Sequence, residues 1–258
     1  MVSGTGIPAV FEEAVLKCYE QGLQVKTEYD RDIDPPSRDC TMMMEIMNPL
    51  KEPMIHKFMP AGPKELECYC MELIEGVKDH LTLWPYTYHK QLCNYDNMVN
   101  QIAFLVDKLS ETPYSRRAQA ITWEPLVHTA TDYPPCLQRV WVRCIPDPTS
   151  TTLYMSMHTH WRSRAALTAS FMNIFGMVLF GDCLIRYRLE QALKRPVVFN
   201  RYVDISDSFH IYGQDIAEGN WERFLAKKGQ TYNYSGELDV IMAEYRDEIR
   251  EEIACLDA

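Results

Sequence analysis

Pro134-Pro135-Cys136-Leu137-Gln138-Arg139, a strand pair, His160-Trp161-Arg162-Ser163 and then Phe171-Met172-Asn173 form the stretch around which the chain is ordered. Leu137–Cys144 and Thr152–Trp161 alternate apolar and polar residues as half-buried strands do, and Pro146-Asp147-Pro148 joins them as an antiparallel pair. Ala165–Leu184 is almost continuously apolar. Its place directly after a strand, with Asn173 inside it, predicts a buried core helix.

Upstream, residues 8–26 carry Phe11, Ala14, Val15, Cys18 and Tyr19 at helical spacing, and Pro35-Pro36-Ser37 breaks the chain. Cys40–Ile46 reads as a strand ended by Asn48-Pro49. A second helix is expected from Lys64 to about His80, with Leu66, Tyr69, Cys70, Leu73, Ile74 and Val77 on one stripe. Residues 81–88 read as an aromatic-rich loop, and Asn97–Ser110 as a third helix. Downstream, Pro196–Val203 and Ser208–Tyr212 read as two short strands, and the charged tail from 214 contains at least one amphipathic helix. No repeat, low-complexity segment or linker interrupts the pattern, which gives one α+β domain over 1–258 with its strands mostly in the middle.

The 258 residues are 47% apolar and 24% charged, as in an ordinary soluble protein. A formal charge of −10 argues against nucleic acid or anionic membrane as a partner, though a local arginine cluster can still hold one phosphate. No apolar run reaches the roughly 18 residues a membrane span needs, and Met1–Gly6 lacks the features of a signal peptide. The nine cysteines are scattered and include no C-x-x-C pair, so no metal site is expected. Most of them read as reduced, buried residues of a cytoplasmic protein.

Cys136 by itself is a small apolar residue ending a turn. It becomes a nucleophile only as the thiolate, which nearby positive charge favours, and Arg139, Arg162, Arg116 and Arg117 are the candidates to supply that charge. Arg116-Arg117 reads either as a solvated pair or, with Arg162-Ser163, as guanidinium forks and a hydroxyl suited to phosphate oxygens. His210 and Tyr212 lie two apart, so on a strand they share a face. They either tip a half-buried strand or bracket a pair of sugar hydroxyls. Asn173 inside an apolar helix must be hydrogen-bonded, and its carboxamide matches the 3,4-edge of a pyrimidine.

Taken together, these residues resemble the thymidylate synthase family, most closely its archaeal-type branch. The matching pieces are Pro113-Tyr114-Ser115-Arg116-Arg117, Pro134-Pro135-Cys136, Arg162-Ser163, Phe171-Met172-Asn173 and His210-Ile211-Tyr212, in family order over about residues 84–215. The resemblance implies an α+β fold with a bent central mixed sheet packed by helices, dimerising through the sheet. It implies C1 transfer to C5 of a pyrimidine nucleoside monophosphate, with 5,10-methylene-tetrahydrofolate or a related reduced pterin as carrier. Carried over by position, Cys136 is the nucleophile that adds to C6, and Arg162 and Ser163 bind phosphate. Arg116 and Arg117 cross to the phosphate of the other subunit, and Arg38 is a further phosphate ligand. Asn173 reads the base, His210 and Tyr212 hold the sugar, and Tyr88 serves proton transfer at C5. The acid/base glutamate falls on the 64–80 helix, Glu72 being favoured over Glu67 and Glu75.

One position departs from the family. Ala165 stands where the family has an aspartate that holds the pterin ring, and a methyl group cannot accept those hydrogen bonds. Losing one charged hydrogen bond costs about 1.5–3 kcal/mol. Ala165 therefore allows an altered carrier site, a hydroxymethylase-like or weakened homologue acting on CMP, dCMP or dUMP, or an engineered inactive variant. The polar Ser170, read as facing the site, fits the hydroxymethylase. Trp161, where many family members have glutamine, resembles the archaeal branch. Three functions follow: a thymidylate synthase, a pyrimidine nucleotide 5-hydroxymethylase, and a nucleotide-binding homologue that has lost transfer.

Overall fold

Leu153–Ala165 alternates buried and half-buried residues along most of its length, and the sheet is assembled on both sides of it. The computed structural model describes residues 1–27, 29–81 and 85–256. Its strands are β1 (Val2–Thr5), β2 (Leu23–Val25), β3 (Ser37–Met47), β4 (Ile55–His56), β5 (Gln119–Ile121), β6 (Leu137–Pro146), β7 (Leu153–Ala165), β8 (Val197–Ile211) and β9 (Thr231–Tyr232). The helices begin with α1 (Ile7–Gln21), α2 (Pro63–Ile74), α3 (Tyr88–Cys93), α4 (Gln101–Glu111) and α5 (Pro125–His128). They continue with α6 (Ser170–Phe180), α7 (Tyr187–Leu193), α8 (Gly213–Ala217), α9 (Asn220–Ala226), α10 (Asp239–Glu244) and α11 (Arg246–Cys255).

The main sheet runs β1-β3-β8-β7-β6-β5, with β2 also paired to β3. It is mixed: β7–β8 and β1–β3 are parallel, and the other pairs antiparallel. Parallel β7 and β8 require a crossover, which α6, a π-helical turn at Gly181–Arg186 and α7 supply. Register shifts between Leu137 and Arg139, between Met155 and Ser156 and between Cys40 and Met42 bend the sheet, as bulges do. The first of them adjoins Cys136.

The helix α6 is apolar on nearly every side because it is covered on nearly every side. Phe171 meets Phe11 of α1 edge-on at 5.4 Å, and Gly181 brings the backbone within reach of Met157 and Phe199 of the sheet. Tyr154, Ser156, His158 and His160 alternate with the buried residues of β7 and are half-buried on the sheet's other face. Beside them Trp141 and His158 have ring centroids 4.8 Å apart.

The α+β class and bent mixed sheet agree with the sequence reading, but several boundaries differ. The first helix stops at Gln21, and β2 follows where a helix to residue 26 was expected. The second ends at Ile74, because Gly76 takes φ +68°, a left-handed conformation that stops a helix. The third begins only at Gln101, where the Asn100 side chain accepts from the Ala103 N–H at 2.8 Å. Arg162–Ala165 is strand rather than helix entry, and the core helix starts at Ser170. The two short strands expected over 196–212 are one strand, β8, since Asp204 and Ser206 are buried within it. Trp84, part of the expected aromatic loop, lies outside the described residues.

Candidate active site

Cys136 sits just before β6, half-buried, with its carbonyl accepting from the Arg162 N–H at 2.9 Å. The Arg162 guanidinium folds back on the same turn, donating from Nη2 to the Pro134 carbonyl at 2.7 Å and from Nε to the Pro135 carbonyl at 3.1 Å. The Pro-Pro-Cys segment and the Arg-Ser segment are thereby fastened together. Burial pushes the Cys136 thiol up, and Arg162 pulls it down. Of the four arginines the sequence offered for this role, only Arg162 acts on the thiol. Arg139 is exposed and instead acts on His158.

Asn173 is one turn into α6, and its Nδ2 donates to the Tyr69 hydroxyl at 2.7 Å. Tyr69 comes from α2, whose stripe presents Tyr69 and Leu73 to Gly176 of α6. A Cβ on Gly176 would stand 2.8 Å from the Tyr69 ring and from Leu73, so glycine is what allows the close approach. Sequence reading placed Tyr69 only among the apolar stripe. The signal for more was a phenol on a buried helix face, whose hydroxyl needs a partner.

Of the three glutamates considered on this helix, Glu67 is buried against Arg246 and Glu75 pairs with Arg250 at 3.1 Å. Glu72 accepts from Lys78 at 3.0 Å and acts electrostatically on Tyr69. Glu72 is thus the one whose charge reaches the residue bonded to Asn173.

Tyr88 opens α3, and its hydroxyl accepts from the Leu137 N–H at 3.2 Å, one residue from Cys136. Burial drives its phenol well up, and Tyr86, Tyr69 and the Cys136 thiol add to this. Two phenols, Tyr86 and Tyr88, therefore adjoin the thiol, and the sequence reading singled out only Tyr88. Thr87 fixes the start of α3, accepting from the Lys90 N–H at 3.1 Å while its hydroxyl donates to Asp79. His89 Nδ1 lies 2.6 Å from the other Asp79 oxygen, which ties α3 to the turn after α2. Tyr88 also meets the Trp161 ring edge-on at 5.8 Å.

Trp161 belongs to a buried polar hub that the sequence did not reveal. Asp204 accepts from the Trp161 Nε1 at 3.2 Å, the Thr159 hydroxyl at 3.0 Å, the Tyr202 hydroxyl at 2.8 Å and the Arg164 Nη1 at 2.9 Å. Arg164 Nη2 closes a bidentate pair with the other carboxylate oxygen. Arg164, the third residue of Arg162-Ser163-Arg164, is therefore structural here, while Arg162 and Ser163 are half-buried beside the thiol's turn.

At the end of the sheet, strand register brings the remaining residues together: Ala165 pairs with His210, Ser163 with Ser208, Asp39 with His210 and Arg38 with Ile211. His210 Nδ1 faces the Ser208 hydroxyl at 3.1 Å, and that hydroxyl donates to Asp39. His210 is 6% exposed, and its Nε2 has no partner among the described residues. Burial lowers its pKa, and Asp39 opposes this, so the ring is held neutral. Tyr212 packs edge-on against it at 4.5 Å. The Arg38 guanidinium lies over the Tyr19 ring at 5.5 Å, with its Nε buried and without a partner among the described residues.

Arg116 and Arg117 are not brought to this cluster. Both are exposed, and the Arg116 carbonyl accepts from the Trp141 indole at 3.1 Å. Trp141 is five residues along β6 from Cys136, about 17 Å at strand rise. Ser170, expected to face the site, is fully buried and donates to the Ala166 carbonyl at 2.6 Å. Beyond Ala165, Leu167 and Thr168 border a cavity of about 270 Å³ whose wall carries three cations, Lys57, Arg223 and Lys227. Among the described residues no cluster of His, Cys, Asp and Glu could hold a metal, and no helix is long and apolar enough to cross a membrane.

The chain is 29% identical to the "Putative thymidylate synthase" of Methanocaldococcus jannaschii, over 80% of its own length and 87% of that protein. To the protein of the same name from Methanosarcina mazei it is 28% identical, over 76% and 85%. Among solved structures it is similar to a thermostable thymidylate synthase A from Bacillus subtilis, with TM-score 0.62, 15% identity, and coverage of 85% and 84% of the two chains. That likeness shows the fold. No family model matches. The resemblance to the thymidylate synthase family, and to its archaeal representatives, is borne out.

Proposed function

For a chain of thymidylate synthase type, we propose C1 transfer to C5 of a pyrimidine nucleoside monophosphate through a Cys136–C6 adduct, with dUMP as substrate and 5-methyl-dUMP as product. The observation that carries this reading is the Cys136 turn: a half-buried thiol under the influence of one cation, Arg162, and next to the phenols of Tyr86 and Tyr88. Once the thiolate adds to C6, the electron pair of the C5–C6 double bond moves toward C5 and O4. C5 then attacks the C1 unit of 5,10-methylene-tetrahydrofolate or a related reduced pterin. Tyr88 and Glu72, with ordered water, handle the protons at C5 and O4. Loss of the C5 proton expels the carrier's amine nitrogen and leaves an exocyclic methylene; hydride from the carrier then gives the methyl group as the C6–S bond breaks and the Cys136 thiolate departs.

Phosphate falls to Arg162, Ser163 and Arg38, and the sugar to His210 and Tyr212, where the unpartnered Nε2 can meet a hydroxyl. The distance of Arg116 and Arg117 from their own Cys136 supports a homodimer through the half-exposed sheet face, each subunit lending both arginines to the other. The carrier's ring finds no acceptor at Ala165. The three cations beyond Leu167 offer its acidic tail a binding surface instead. Missing the carboxylate that holds a pterin favours one second reading, a 5-hydroxymethylase in which water rather than hydride ends the reaction. Cytoplasmic residence suits free nucleotide and folate substrates.

The test is incubation with 5-tritiated dUMP, dCMP and CMP plus methylene-tetrahydrofolate, with products identified by mass. Tritium release with a methyl product is expected, and a hydroxymethyl product would select the second reading. Cys136→Ala should lower release at least a thousandfold while nucleotide still binds; unchanged turnover in that variant would sink the adduct mechanism.

A further inference from the structure

Tyr69 has one hydrogen bond too few. Its hydroxyl oxygen accepts from Asn173 Nδ2 at 2.7 Å, and among the described residues nothing accepts the hydroxyl's own proton. The ring is held in place from behind. The ring lies against Gly176 of α6, where a Cβ would stand 2.8 Å from it, and Leu73, one turn further along α2, packs on the same glycine. Burial, with the negative charge of Glu72 second, raises the phenol far above its ordinary value. Tyr69 is thus a neutral donor at every physiological pH, locked in direction and adjoining the carboxamide that reads the base.

Resting on the reading of Asn173 as the base-reading residue, we propose that Tyr69 is a positioning residue whose hydroxyl donates a hydrogen bond to a water held on O4 of the uracil ring. A carboxamide spanning the 3,4-edge of uracil accepts from N3–H through Oδ1 and donates to O4 through one N–H of Nδ2. Its second N–H goes to Tyr69. The two N–H bonds of a planar amide diverge by about 120°, so the phenol oxygen stands about 5 Å from O4, the span of one bridging water. When the Cys136 thiolate adds to C6, a new C–S bond forms, the C5–C6 π pair delocalises over C5, C4 and O4, and negative charge accumulates on O4. The uncommitted O–H fixes the water that meets that charge, and no proton needs to leave the phenol. Such a donor stabilises the adduct more than the ground-state carbonyl, which is the condition for raising turnover rather than affinity. Burial, with the charge of Glu72 second, keeps the phenol protonated.

Tyr69→Phe keeps the ring on Gly176 and removes only the hydroxyl. Tritium release from 5-tritiated dUMP should fall about a hundredfold in kcat, with the dissociation constant of dUMP changed less than about threefold. A variant that merely loosened the fold would lose affinity for dUMP together with turnover. Wild-type turnover alongside an equally active Tyr69→Phe overturns this assignment alone. A wild type that releases tritium from no nucleotide, like Cys136→Ala, overturns both the proposed function and this role.

Discussion

Asp204 and His210 lie six residues apart on the same strand, both buried, and they are treated in opposite ways. Asp204 receives four donors on one oxygen and a guanidinium arm on the other. His210 has one nitrogen facing Ser208 and the other without a partner among the described residues. A buried polar group is costly unless satisfied. The saturated cluster is therefore built to hold shape, and the unsatisfied nitrogen reads as a place kept for something outside the chain. Arg164 shows the contrast in miniature: two of its nitrogens are spent on Asp204, and its Nε has no partner among the described residues.

The sharpest way to break this contrast is Asp204→Asn. It keeps volume but leaves Arg164 a buried charge without its counter-ion, and should cost about 3–5 kcal/mol in urea unfolding. A loss below about 1 kcal/mol would mean that the hub is not what fixes β7 to β8. Replacing both partners by apolar residues should restore much of the loss, because the penalty lies in the orphaned charge. His210→Phe should do the reverse. It should leave unfolding unchanged within about 1 kcal/mol, since it removes an unsatisfied nitrogen. Calorimetric titration should show dUMP binding weakened about tenfold; equal damage to stability would make His210 scaffold like Asp204.

The smallest effect concerns the Asp79–His89 pair that steadies Tyr88. Burial works against the charged imidazole, but Asp79 and Cys93 outweigh it and raise His89 to about 9. A raised folded-state value means stability fully present below the unfolded value near 6.5 and lost as pH rises through about 9. Stability should accordingly decline between these two points by about 1–2 kcal/mol, and His89→Gln should flatten that slope in thermal melts. A slope unchanged in the variant would assign the decline to another group.

Much of the site was legible beforehand, because its residues carry chemistry on their face. A cysteine after two prolines, an Arg-Ser pair and an asparagine in an apolar run are each unusual enough to be noticed, and the fold does bring Cys136, Arg162, Ser163, Asn173 and Tyr88 to one end of the sheet. Tyr69 was hidden in an apolar stripe, where a phenol and a phenylalanine look alike until a partner is known. Asp204 was hidden by its polarity, which made a break in β8 the natural reading. Three of its four partners come from β7, forty and more residues away, and no local pattern carries that information.

The sequence by itself determined the α+β class, the central antiparallel pair, the core helix and the choice of Cys136 as the candidate thiol. Periodicity and residue chemistry are local properties, and these features depend on little else. Tertiary structure alone decided which cation acts on Cys136, which side chain orients Asn173, and that Arg164 serves the scaffold while Arg162 serves the site. Those outcomes depend on distance between strands and helices remote in the chain, where a few ångströms separate a hydrogen bond from no interaction at all.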